Sequence, residues 1–332
     1  MNVSTLSRTA LASLMLASFA STGCSIPDRL QTPFQPGLYK QVLERQKAGD
    51  QIDQEMVTEL PELGVEDYER IGDQFYGRGE YGMALIKYQH GLELAPDHIS
   101  LRYKFGSVIL AKGFPRDSLE QFNRLAEQPV GRALGDLGRG QAWFQLGEYA
   151  RAEEALLRAA AASPDLWKAH ETLGLVLDRT GRHAEAVQAY GRALALRPGD
   201  RSVLNNMGVS LYLVGRYADS ATTLEQAART DPKNLRVQKN LARAYAKSRR
   251  YHDALDAYRR AEGPAEAYNY LGELFLADGR MAKARACFEE AIEMSPRYYE
   301  TANENLMRLR RIDPSYREGT LRMASHQARV CP

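Results

Sequence analysis

Cysteine is scarce in this 332-residue chain: only Cys24, Cys287 and Cys331 occur, and none is close enough to another for a zinc or dithiol motif. The six histidines form neither HxxxH nor HExxH, which removes the common helical metal sites. An excess of one charge is missing too. Forty-four basic residues face 42 acidic ones, for a formal net charge of +2. That balance excludes the basic stripe a nucleic-acid binder needs. β-Branched residues are sparse, while Ala, Leu, Arg, Glu and Tyr dominate, which favours helix over strand. No hydrophobic run reaches the roughly 20 residues of a membrane-spanning helix.

The one sustained apolar stretch is Thr9 to Ala20, TALASLMLASFA, after a short n-region carrying Arg8. Its length suits the central region of a secretory signal. Ser21-Thr22-Gly23-Cys24-Ser25 follow, and this resembles the lipobox of bacterial lipoproteins. In that family small residues precede a cysteine that becomes the acylated mature N-terminus, here Cys24. The departure is Ser21, where the family usually has Leu. The resemblance implies a lipid anchor, and Ser25 at the second mature position implies the outer membrane, periplasmic face. The alternative is an ordinary cleaved signal with a chance cysteine. The expected organisation starts with a signal over 1–23 and a tether over 24–64. Pro27, Pro33, Pro36 and Pro61 stop the tether from being one helix, although a short helix fits around Leu38 to Lys47.

Beyond the tether the chain repeats itself. Gly72, Gly106, Gly140, Gly174 and Gly208 are spaced 34 residues apart, and so are Gly79, Gly113, Gly147, Gly181 and Gly215. Ala242 continues the first series, and Gly272 follows 30 residues later. With the first glycine as position 8, position 11 is large and apolar, from Phe75 and Ile109 to Phe275. Position 20 is Ala or Ser throughout. Position 24 is bulky, as in Tyr88, Phe122, Tyr190 and Phe288. Position 27 is small except at Leu125, and position 32 is proline in five units.

This pattern resembles the tetratricopeptide (TPR) repeat from Val65 to about Tyr298. It predicts an all-α, right-handed superhelical solenoid of about seven helix-turn-helix units plus a capping helix. Units start near 65, 99, 133, 167, 201, 235 and 265. The capping helix is expected over 299–312, with a loose tail over 313–332. Small residues at 8, 20 and 27 let helices approach, and bulky ones at 11 and 24 fill the space beside them. The glycine near position 15 takes positive φ and ends the first helix. One unit cannot bury its own apolar face, so stability comes from stacking. Bends are expected at two irregularities: Leu125 with Pro129-Val130-Gly131, and the shortened end at Glu262-Gly263-Pro264.

In such a solenoid the first helix of each unit lines the inner surface, and positions 2, 5, 9 and 12 share a face. These are Leu134, Leu137, Gln141 and Phe144 in the third unit, and Ser202, Asn205, Val209 and Tyr212 in the fifth. In the sixth they are Arg236, Lys239, Arg243 and Ala246. The predicted groove runs from apolar through amide and aromatic to basic, and suits an extended or helical peptide. The alternative is a plain solvated face; Leu137, Phe144 and Tyr212 weigh against it. No catalytic constellation stands out. Cys287 reads as a buried structural cysteine, with a disulfide to Cys331 left open. His170 and His183 occupy structural repeat positions. The glycines follow the 34-residue period rather than a phosphate-loop spacing. No enzyme activity, metal or cofactor is expected.

One stretch is more particular. Val203 to Ala246 carries Asn205-Asn206-Met207-Gly208 and then Gln238 to Ala246, and the later Ser295 to Leu306 reads SPRYYETANENL. These resemble the TadD family of Flp pilus (tight adherence) assembly lipoproteins. The resemblance implies a protein-binding outer-membrane accessory that helps a secretin localise or assemble, with protein partners and no nucleic acid. Two rival classes stay open: a pilotin of another type IV pilus system or a periplasmic TPR adaptor for proteases or cell-wall enzymes, and an enzyme with a repeat-borne site.

Overall fold

The computed structural model describes residues 63–295, 300–312 and 331. The chain divides into 1–62 and 63–332, and all described residues belong to the second unit. Cys24, the signal and nearly all of the tether therefore lie outside the described residues.

Fifteen helices occur among the described residues, with no strand. They form seven antiparallel pairs and a last single helix. The pairs are α1 (Val65–Gly77) with α2 (Tyr81–Leu94), α3 (Ile99–Ala111) with α4 (Pro115–Glu127), and α5 (Arg132–Gln145) with α6 (Tyr149–Ala162). Next come α7 (Trp167–Arg179) with α8 (His183–Leu196), and α9 (Arg201–Leu213) with α10 (Tyr217–Thr230). Then follow α11 (Leu235–Lys247) with α12 (Tyr251–Ala261), α13 (Pro264–Ala277) with α14 (Met281–Met294), and finally α15 (Glu300–Ile312). Every helix packs on its neighbours in sequence. First helices also touch the first helix of the following unit, as in α3–α5, α5–α7 and α9–α11. Contacts confined to near neighbours define a solenoid. The described residues thus form an all-α TPR solenoid.

Within six of the seven pairs a position-8 glycine lies under the bulky residue at position 24, the sixth pair having Ala242 there. A Cβ on Gly174 would come within 2.4 Å of the Tyr190 ring, and one on Gly272 within 2.4 Å of the Phe288 ring. Tyr190, Phe288, Phe122 and Leu224 are accordingly fully buried. At the third unit the rule is shifted across the unit boundary. Leu125 fills the place that is small elsewhere, and Gly131 gives it room from the other side, while Gly135 and Gly138 lie against Ala126 and Phe122. A Cβ on Gly135 would sit 2.4 Å from the Ala126 backbone nitrogen, so α5 rests directly on the main chain of α4.

The turn glycines Gly79, Gly113, Gly147, Gly181, Gly215 and Gly279 all have φ between 71° and 86°. In the sixth unit that place falls to Arg249, with φ 64°, the one described non-glycine residue at positive φ. Left-handed backbone costs an L-residue roughly 1–2 kcal/mol. Arg249→Gly is therefore expected to stabilise the fold by about 0.5–1 kcal/mol, after the greater freedom of glycine in the unfolded chain is subtracted. A rise in the urea midpoint checks this.

The solenoid ends on α15, whose Ala302, Leu306 and Leu309 are buried while Met307 stays exposed. Of the tail expected over 313–332, only Cys331 lies among the described residues. Cys331 is disulfide-bonded to Cys287, with Cα atoms 4.8 Å apart. Among the described residues no helix is long and apolar enough to cross a membrane, and no group of three or more His, Cys, Asp or Glu could hold a metal ion.

Candidate protein-binding groove

A groove of about 630 Å³ runs across the first helices of units one to four. From α1 it takes Asp73 and Tyr76, and from α3 Tyr103, Lys104, Ser107 and Leu110. From α5 it takes Gln141 and Phe144, and from α7 Lys168, Glu171, Thr172 and Leu175. Most of these are positions 5, 9 and 12 of their units, so successive repeats present them at one level. The lining is mainly apolar and aromatic. Tyr76 is 42% exposed, and its ring lies 5.5 Å from that of Tyr81. Phe144 is half-buried, with its ring 6.0 Å from Tyr149.

The charges in this groove are neutralised internally. Lys104 Nζ lies 2.7 Å from Asp73 Oδ2 and 2.7 Å from Glu69 Oε1. Burial alone would lower the Lys104 pKa, but these two carboxylates outweigh it and hold the ammonium above its usual value. Burial likewise pushes Glu69 upward, and the bonds from Lys104 and Ser100 reverse this, leaving its carboxyl below the ordinary range. The Tyr88 hydroxyl donates to Asp73 Oδ1 at 2.6 Å, and burial together with that carboxylate keeps it far from ionisation. Burial raises Tyr103 to about 12, and its hydroxyl donates to Gln141 Oε1 at 3.3 Å. Lys168 Nζ pairs with Glu171 Oε2 at 2.7 Å. A groove with paired charges and neutral tyrosines offers apolar area and hydrogen bonds rather than a net field.

The sequence-derived groove set is divided by the structure. Gln141 and Phe144 line the groove just described. Leu134 is half-buried and borders a separate cavity of about 390 Å³ with Pro129, Val130 and Leu166. Leu137 is a correction: it is 1% exposed and belongs to the core with Leu156, Ala169 and Leu173. Asn205 is a second correction, at 6% exposed, with its Oδ1 accepting from Asn240 Nδ2 at 3.0 Å. Both occupy position 5. In these two units the contact between consecutive first helices covers that position, whereas Tyr103 and Glu171 at the same position line the groove, and a helical wheel cannot separate the two cases. Asn269 is buried in the same way, its Oδ1 accepting from Asn305 Nδ2 at 3.0 Å.

Val209 and Tyr212 are half-buried on α9, and the Tyr212 ring lies 5.3 Å from Tyr217. On α11, Arg236 is exposed, Lys239 forms an ion pair with Glu262, and Arg243 bonds to the hydroxyls of Tyr258 and Tyr270. The basic end of the predicted groove is thus partly occupied by its own neighbours. Missed were Tyr76, Tyr103, Lys104, Lys168, Glu171 and Leu175. Positions 2, 5, 9 and 12 applied to the first, second and fourth units find all of these but Lys104. The two histidines are structural: His170 Nε2 lies 3.2 Å from the Pro164 carbonyl, and His183 Nδ1 lies 2.9 Å from Asp178.

A family model described as the Cilia and flagella-associated protein 70 C-terminal domain matches residues 7–268, well over half of the chain. A tetratricopeptide repeat model matches residues 265–298. The chain belongs to that tetratricopeptide-repeat family. TPR repeats generally serve as non-catalytic scaffolds for protein interaction, and that coarse reading applies here. No curated protein matches the chain.

Among solved structures, PilF of Pseudomonas aeruginosa is 20% identical and aligns with a TM-score of 0.53, covering 64% of this chain and 97% of that one. The C-terminal part of a TPR repeat-containing protein from Cytophaga hutchinsonii is 12% identical, with a TM-score of 0.51 over 71% of this chain and 98% of that one. A thermophilic TPR protein of Thermus thermophilus is 22% identical, with a TM-score of 0.49 over 55% of this chain and all of that one. At these identities the likeness is one of fold.

Proposed function

We propose that this protein is a non-catalytic scaffold, anchored to the outer membrane through lipid on Cys24, that binds a protein partner during assembly of a Flp-type pilus or related secretion machine. The task assigned to it is helping a secretin localise or assemble. The observation that carries the binding part is the groove over α1, α3, α5 and α7. It presents aromatic and aliphatic side chains with its ionic groups already paired, which suits the apolar face of a helix or an extended peptide. The pilus part rests on the resemblance of Val203–Ala246 and Ser295–Leu306 to the TadD family. The Cys287–Cys331 bond supports an oxidising compartment such as the periplasm.

Secretin assembly in a strain lacking this protein tests the proposal. Detergent-resistant secretin multimers in the outer membrane are expected to fall at least ~10-fold. Wild-type protein restores them. Tyr76→Ala with Phe144→Ala is expected not to, although it folds, and Cys24→Ala is expected to leave the membrane fraction and fail as well. Normal multimers in the deletion strain contradict the secretin role. Full rescue by the double variant moves the binding site elsewhere.

A further inference from the structure

Cys287 is fully buried on α14 beside Phe288, in the cluster that also holds Phe275, Leu306 and Leu309. The equivalent position is a buried alanine in three other units, Ala155, Ala189 and Ala257, and the partly exposed Lys87, Gln121 or Thr223 in the rest. A site that three units fill with a buried methyl group carries a thiol in the last. Its partner is Cys331, one residue from the end of the sequence, itself partly buried against the same cluster.

The bond joins residues 44 apart in sequence, and α15 lies wholly inside the loop it closes. Three things then hold α15 on the last pair. Ala302, Leu306 and Leu309 are buried. Asn305 Nδ2 donates to Asn269 Oδ1 and Glu273 Oε1, each at 3.0 Å. The disulfide is the third. The first two are modest: α15 offers a single apolar stripe, and its opposite face carries Glu304, Arg308 and Arg311. A terminal helix with neighbours on one side only is where a repeat array opens first.

We propose that the Cys287–Cys331 disulfide is a redox latch that keeps the solenoid's C-terminal cap closed. While the bond stands, the open form of the cap is a tethered loop with little conformational freedom to gain. When a dithiol reductant opens it, the S–S bond breaks, two thiols form, and the reductant leaves as its own disulfide after giving up two electrons and two protons. Cys331 is then freed from α14, and α15 depends on its buried apolar residues and amides alone. The cap lies against α13 and α14, so its opening uncovers the buried Asn269, whose amide it holds. Outside an oxidising compartment the bond does not persist, and the latch is open there.

The test uses the full chain. Non-reducing peptide mapping after alkylation is expected to return the Cys287–Cys331 linked peptide, which disappears on treatment with dithiothreitol. Hydrogen exchange is then followed in the oxidised protein, the reduced protein and Cys331→Ser, a variant that leaves the buried Cys287 in place. Backbone amides of α15 are expected to exchange up to roughly a thousandfold faster in the last two, as the loop-closure entropy of such a span implies. Amides of α3 to α8 are expected to be unchanged, which separates opening of the cap from unfolding. Free thiols at both positions in the native protein overturn the proposal. So does exchange in α15 that is the same in all three samples. Neither result bears on the groove of the first four units.

Discussion

Leu137→Glu is expected to cost about 4 kcal/mol or more and to melt the middle of the solenoid. Leu137 is 1% exposed and packs with Leu156, Ala169 and Leu173 in one buried cluster. The substitution removes that apolar contact, worth roughly 2–5 kcal/mol in a core that cannot collapse, and puts a carboxylate into the same space without a partner. Phe144→Glu, seven residues further along α5, is the matched control. Phe144 is half-buried at the groove, and its replacement is expected to cost no more than about 1–2 kcal/mol, since a glutamate there reaches water. Urea denaturation followed by circular dichroism separates the two. Equal loss in both variants contradicts the assignment of Leu137 to the core and of Phe144, two turns on along the same side of α5, to the open groove.

Gly135→Leu is expected to be comparably severe, by a different route. No side chain fits at that point, because a Cβ would stand 2.4 Å from the Ala126 nitrogen and 2.7 Å from its Cα. Backbone cannot rotate aside as a side chain can, so α5 must lift off α4. Overpacking of this kind typically costs about 1–3 kcal/mol and more where the main chain must move. Lifting α5 also unseats Leu125 and Phe122, both fully buried. The control is Gly191→Ala on α8, where a new Cβ meets nothing within 4 Å. There the higher helix propensity of alanine is expected to stabilise the protein by about 0.5–1 kcal/mol. Opposite signs for two glycine substitutions in neighbouring units follow from packing alone.

The fold was legible because the repeat writes size and backbone conformation at the same positions many times. Gly174 under Tyr190 and Gly272 under Phe288 need no structure to be paired once the period is seen. The exceptions needed coordinates. Arg249 keeps the left-handed turn without glycine, held by the regular helices on both sides. Leu125 looked like a defect at a small position, and the glycine that accommodates it, Gly131, stands at the start of α5.

The site was legible only in outline. Helical periodicity places positions 5, 9 and 12 on one face, and Gln141 and Phe144 do line the groove. It does not say that the next unit's first helix leans over position 5 in some units. That lean turns Leu137 into core, and it turns Asn205 and Asn269 into amide links to Asn240 and Asn305. Charge was misread for a related reason. Lys239 and Arg243 look like free cations in sequence, but Glu262, Tyr258 and Tyr270 engage them from neighbouring parts of the solenoid.

The claim at the centre of this account is that a protein partner sits in the groove of units one to four. A photoreactive amino acid placed at Phe144, and in a separate protein at the outward-facing Leu196, tests it in the native envelope. Leu196 is 43% exposed on α8 and lies outside that groove. The account predicts one dominant adduct from the Phe144 probe, containing the secretin or another component of the same machine, and lost when Tyr76→Ala is added. It predicts no such adduct from Leu196. The same partner captured from Leu196 and not from Phe144 would contradict it.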